Sequence, residues 1–207
     1  MSINNKSQND TSNFQSSIFE NIKCHQDLIE LKKDADEIIK LMYKAIKNGG
    51  KILLCGNGGS AADAQHLAAE FIVRLRPKVN RQPIPAISLA LDTSTITACG
   101  NDFSFDDIFL RSFKSLYNKK DILIAISTSG NSKNIINVLK FSKKKGVKTI
   151  GFLGGNGGIA KKYCDNKLIV NSKNTARIQE CHIFLGHFIF ECVEKKLLNS
   201  KKLTKEI

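Results

Sequence analysis

Five short apolar runs constrain this chain more than any other feature. KILLC (51–55), PAISLAL (85–91), DILIAIS (121–127), KTIGFL (148–153) and KLIVN (167–171) alternate with helix-like stretches at about 60–75, 104–117 and 132–145. A last helix is predicted over about 175–197. Strands that are apolar on both faces must be covered on both faces, and strands separated by helices connect most simply in parallel. The pattern therefore predicts an α/β fold, a three-layer sandwich with a central parallel five-stranded sheet flanked by helices. Ahead of the first strand, Ile18, Ile22, Leu28, Leu31, Ile38, Leu41 and Ile46 recur at helical spacing. They predict one long or two consecutive helices, closed by Asn48-Gly49-Gly50. The expected organisation is a mobile polar lead over 1–14, one domain over 15–198 that includes the helical arm, and a basic tail over 199–207.

In parallel sheets of this kind, ligands bind beyond the carboxyl ends of the strands. The unusual residues fall there: GNGGS follows the first strand, TSGNS the third and GGNGG the fourth. In ISTSGNS, Ser127, Thr128, Ser129 and Ser132 supply four hydroxyls within six positions at the start of a helix. Such a turn suits a phosphate, because unpaired N–H groups and the helix dipole both favour an anion, although an ordinary capped turn shares these residue types. Neither glycine turn is a P-loop or a dinucleotide fingerprint, which argues against nucleotide binding. In GNGGSAADAQHLAAEF (56–71), His66 and Glu70 lie four apart on one helix face, a spacing able to grip a metal or share a proton. In ARIQECHIFLGHF (176–188), Gln179, His182 and His187 punctuate an apolar helix, and spacing does not choose between the two histidines.

The net charge of +13 comes from short lysine groups such as Lys143–Lys145. No aromatic-interleaved basic stripe or helix-turn-helix accompanies it, so it reads as a solvated surface rather than a nucleic-acid interface. The six cysteines contain no CxxC pair and read as reduced thiols, with Cys55 in a core strand. No apolar run approaches a membrane span and the start lacks a signal-peptide stretch, so no membrane partner and a cytoplasmic location are expected.

GNGGSAADAQHLAAEF, DTSTITACGNDFSFDDIF (92–109), ISTSGNS and ARIQECHIFLGH together resemble the sugar isomerase (SIS) domain family, over nearly all of residues 15–197. Within it they are most similar to the branch that isomerises a seven-carbon sugar phosphate. The resemblance implies conversion of sedoheptulose 7-phosphate to D-glycero-D-manno-heptose 7-phosphate through an enediol, for bacterial surface heptose, in a homotetramer with active sites near subunit boundaries. It places Ser127, Thr128, Ser129 and Ser132 on the phosphate loop and Asn57, Gly58 and Ser60 on the substrate-facing first turn. Arg74, Asp92 and Gln179 are placed near the sugar. It also assigns His66, Glu70, Gln179 and His187 to one zinc ion per subunit, and Glu70 with His187 to the acid/base pair. His182 is thereby left as a structural neighbour. A rival within the family is a non-catalytic tetramer that binds the replication initiator. That protein lacks the glutamate and the second histidine, both of which stand here as Glu70 and His187.

Overall fold

A computed structural model describes residues 6–203 of the chain, with the side chains of 6–12 left aside. Strands β1 (Ile52–Gly56), β2 (Ala86–Ser88), β3 (Ile122–Ser127), β4 (Lys148–Gly154) and β5 (Asn166–Val170) form one sheet in the order β2-β1-β3-β4-β5. Every neighbouring pair is parallel, with Leu54 opposite both Ser88 and Ile124 in the centre. Among the described residues, seven α-helices surround it: α1 (Lys6–Asp27), α2 (Lys32–Lys47), α3 (Gly59–Ile72), α4 (Thr93–Asp102), α5 (Ile108–Leu116), α6 (Lys133–Lys144) and α7 (Thr175–Asn199). No described helix is long and apolar enough to cross a membrane.

Alternation along the strands explains the three layers. Ile52, Leu54, Ile122, Ile124, Ile126 and Phe152 bury one sheet face against α2, α3 and α7. Leu53, Cys55, Leu123 and Ala125 bury the other against α4, α5 and α6. Successive side chains of a strand point to opposite faces, so only a strand apolar at every position can serve both layers.

The helical arm is two helices, α1 and α2, joined by a 3₁₀ turn at Leu28–Leu31. Helix α1 begins at Lys6, inside the lead expected to be mobile, and residues 1–5 of that lead lie outside the described residues. Helix α7 ends at Asn199, and of the tail only 200–203 are described.

Two expectations are corrected. The second apolar run forms only a three-residue edge strand, because Pro83 and Pro85 precede it and Ser88 Oγ accepts a bond from Ala90 N, turning the chain. Helix α4 was not expected at all. Its sequence, TSTITACGND, is rich in β-branched, small and polar residues with weak helix preference. Asp92 opens it by accepting from Ser94 N (3.0 Å) and from the Thr95 hydroxyl.

His182 is fully buried, and its Nε2 donates to the Leu153 carbonyl of β4 at 3.1 Å. Burial holds its pKa down to about 4, from an ordinary 6.5. As pH falls the unfolded chain takes up this proton first, so stability drops across the window from about 6.5 down to about 4. The expected loss between pH 7 and about pH 5 is about 2 kcal/mol. Asp63, raised to about 6 by burial, acts in the opposite sense and offsets part of this loss. Urea unfolding of wild type and His182→Gln at the two pH values checks this; equal pH slopes would remove His182 as the cause.

Candidate active site

The direction of the connections fixes where a site can form. From β1 the chain moves outward to β2, then returns past β1 to β3, so the strand order reverses between β1 and β3. The loops leaving these two strands diverge and open a crevice between them. Asn57, after β1, and Asn134, in the first turn of α6, exchange two amide hydrogen bonds of 2.9 Å across it. Gly58 takes φ +54 at the start of α3, and Ser60 is buried in its first turn.

The TSGNS loop follows β3. Ser127 Oγ accepts from Gly130 N and Ser129 Oγ from Asn131 N, each at 3.1 Å. These two hydroxyls shape the loop, while Ser132 stands at the N-cap of α6 with no capping bond from its side chain. Thr128 and Ser129 line a cavity of about 270 Å³ together with Asn156, Ser172, Lys173 and Thr175. The last three come from the turn after β5, which begins α7 under an Asn174 cap. Sequence reasoning passed over this NSKNT run. Its signal was a Lys among hydroxyl and amide residues directly after a buried strand and ahead of a helix.

The glycines of the third turn have a separate cause. Gly130 O accepts from Ala160 N (2.8 Å), and Asn131 Oδ1 accepts from Ile159 N (3.0 Å). The loops after β3 and β4 are thus clamped by one backbone–backbone bond and one from a backbone N–H to a side-chain amide oxygen.

Helices α3 and α7 lie side by side and run parallel. Gly59 meets Gln179, Leu67 meets Gly186, and Phe71 meets Phe190 with ring centroids 4.1 Å apart. This register brings His66 and His187 together, their Nε2 atoms 2.7 Å apart. Glu70 Oε1 lies 3.3 Å from His66 Nε2. One atom from each of His66, Glu70 and His187 can be chosen so that all lie within 4.8 Å of one another. The structure thus brings His66, Glu70 and His187 together. Gln179 packs its amide against Gly59, two helical turns before His66, or about 10 Å along the axis.

Burial is the main cause that lowers the His187 pKa, and His66 beside it adds to the effect, while Glu70 opposes it. The shift favours the neutral imidazole. At 2.7 Å only one of the two facing Nε2 atoms can carry a hydrogen, so the other presents its lone pair. Two imidazoles and a carboxylate are a donor set that catalytic zinc sites use, and these residues fit such an ion. Asp63, one turn before His66, is a further acidic group not anticipated from sequence, and its Oδ2 is buried without a hydrogen-bond partner among the described residues. The signal would have been an acid three positions before the histidine.

The remaining assigned residues lie at the edges. Asp92 is spent on capping α4, and the Thr95 hydroxyl bonded to it is the first cause of its lowered pKa. Arg74 is exposed just beyond the end of α3.

Comparison with known proteins agrees with this architecture. Residues 21–154 match the SIS domain. The phosphoheptose isomerase of Clostridium acetobutylicum is 50% identical over 164 residues, covering 79% of this chain and 83% of that protein. That of Aliarcobacter butzleri is 45% identical over 188 residues, covering 88% and 98%. The solved structure of phosphoheptose isomerase from Neisseria gonorrhoeae superposes with a TM-score of 0.83 at 37% identity, over 89% of this chain and 98% of that one. With a parallel sheet, a serine loop at the strand-order reversal and a shared register of α3 and α7, this chain belongs to the SIS-domain family, among the phosphoheptose isomerases.

Proposed function

We propose that the chain interconverts sedoheptulose 7-phosphate and D-glycero-D-manno-heptose 7-phosphate. The observation that carries this reading is the convergence of Glu70 and His187 from two separate helices onto one point. Ketose–aldose exchange moves a proton between adjacent carbons through an enediol, which requires a base and an acid beside the same pair of carbons. Glu70 takes the proton from one carbon to form the enediol and returns it to the adjacent carbon, while His187 moves the hydroxyl proton between the two neighbouring oxygens. His66, between them, holds both in place. His66, Glu70, Gln179 and His187 would hold a zinc ion, one per subunit, whose charge would polarise the sugar oxygens.

The phosphate belongs at the TSGNS loop, where Thr128, Ser129 and the uncommitted Ser132 face the N-terminus of α6 and Lys173 adds charge. Asn57, Gly58, Ser60 and Gln179 then line the path of the sugar chain between phosphate and proton-transfer groups. Gln179, seated on Gly59, serves both this path and the proposed metal set. Arg74 and Asp92 serve the rim.

A homotetramer is part of the same proposal. Phe14, Ile18, Phe19 and Ile22 of α1 and Phe184 and Phe188 of α7 are exposed apolar residues, a surface suited to burial against further copies. The product feeds surface heptose, and the enzyme acts in the cytoplasm. Purified protein incubated with zinc and sedoheptulose 7-phosphate is expected to form the aldose phosphate, and light scattering to return four times the chain mass. No turnover would favour the non-catalytic reading, and a monomer would remove the assembly.

A further inference from the structure

Beyond the site, the most heavily bonded polar group in the chain is Arg81, in the connection between α3 and β2. Its side chain is 0% exposed. Nη2 donates to the Glu70 carbonyl (2.9 Å), and Nη1 donates to the carbonyls of Phe71 (2.8 Å) and Gln82 (3.1 Å). Nε donates to Glu194 Oε1 at 2.6 Å. Glu194, on α7, is 1% exposed, and its other oxygen accepts from Arg76 Nε at 2.7 Å. Helix α3 therefore ends not on a glycine but on a buried guanidinium, which satisfies carbonyls that lack intrahelical partners and meets the negative end of the dipole.

We infer that Arg81 and Glu194 form a positioning device that sets Glu70 against His187. Glu194 lies seven residues, two helical turns, beyond His187, so both project from one side of α7. Arg81 grips the carbonyl of Glu70 itself and is held by α7. The pair thus joins the backbone that carries the carboxylate to the helix that carries the imidazole. Apolar contacts such as Phe71 on Phe190 tolerate small slides, whereas a buried carboxylate held at both oxygens by the Nε groups of Arg81 and Arg76 confines the two elements to a narrow geometry. A buried ion pair adds little stability over a well-packed apolar pair, so its value here is registry. The basic segment 74–82 acquires a role through this pair: it delivers Arg76 and Arg81 to Glu194.

This inference rests on the proposed isomerase for one of its readouts and not for the other. The variants are Glu194→Gln and the double replacement Arg81→Met with Glu194→Leu, the second removing both buried charges together. Both are expected to fold, with the phosphate loop intact and KM for sedoheptulose 7-phosphate within about twofold. Per folded molecule, kcat is expected to fall about 10- to 100-fold, the scale of a small misplacement of reacting groups. Cobalt(II) titration, read by its visible absorption, is expected to show affinity weakened about 10-fold or more, as when groups that orient metal ligands are lost. Unchanged kcat per folded molecule together with unchanged cobalt affinity overturns the inference. If wild type proves inactive, the proposed function fails while the cobalt arm still decides the positioning claim. If Glu194→Gln, which leaves the Arg81 charge buried and unpaired, does not fold, the double variant carries the test alone.

Discussion

Glu70→Gln is expected to lower kcat by about 10²- to 10⁴-fold while leaving the fold and the KM for sedoheptulose 7-phosphate nearly unchanged. The glutamine keeps the size of the side chain and its oxygen toward His66, but it cannot accept a proton at neutral pH. A loss confined to kcat distinguishes proton transfer from binding, since the phosphate loop lies on β3 and α6, away from the end of α3. Metal content measured on the same protein separates the two functions assigned to Glu70. If zinc is retained and activity lost, the carboxylate is the base. Wild-type kcat with zinc still bound would end that assignment and leave Glu70 a ligand. The tension is chemical: a carboxylate held by a cation is a weaker base, so Glu70 cannot do both fully at once.

The second large effect is expected at Gly130→Ala. Gly130 has φ +63, and a Cβ there would stand 2.2 Å from the Gly157 carbonyl oxygen and 2.6 Å from its carbon. The left-handed conformation alone costs an alanine roughly 1–2 kcal/mol. The contact is with backbone rather than the tip of a flexible side chain, so one of the two loops must move. Moving either breaks the Gly130–Ala160 and Asn131–Ile159 bonds that hold the TSGNS turn. We expect a stability loss of about 2–4 kcal/mol, measured by urea unfolding. In the protein that still folds, KM for the sugar phosphate should rise at least about tenfold, because the donors aimed at the phosphate are displaced. A variant with wild-type KM would show that the loop does not hold the phosphate.

The two predictions differ in how far the sequence could reach them. For Glu70 the residue, its spacing from His66 and its helix were legible, because helical periodicity dictates that i and i+4 share a face. For Gly130 the sequence marked a turn, but not that the glycine turn containing Gly157 would press its backbone against it. That contact requires β3 and β4 to be neighbours in register, as Ser127 and Leu153 are.

The strands, their parallel arrangement and the two buried faces were fixed by local pattern, since a run apolar at every position has only one stable environment. The clustering of hydroxyls after β3 was equally local. Helix α4 escaped because its residues favour a helix only once Asp92 caps it and Cys99 is buried. The choice between His182 and His187 was tertiary. The parallel register of α3 and α7, with Leu67 on Gly186 and Phe71 on Phe190, turns His187 toward His66 and His182 toward the Leu153 carbonyl. Arg81 and Glu194, 113 positions apart, carry no sequence signal of their partnership. Periodicity decides which way a side chain faces on its own element; only packing of whole elements decides what it meets there.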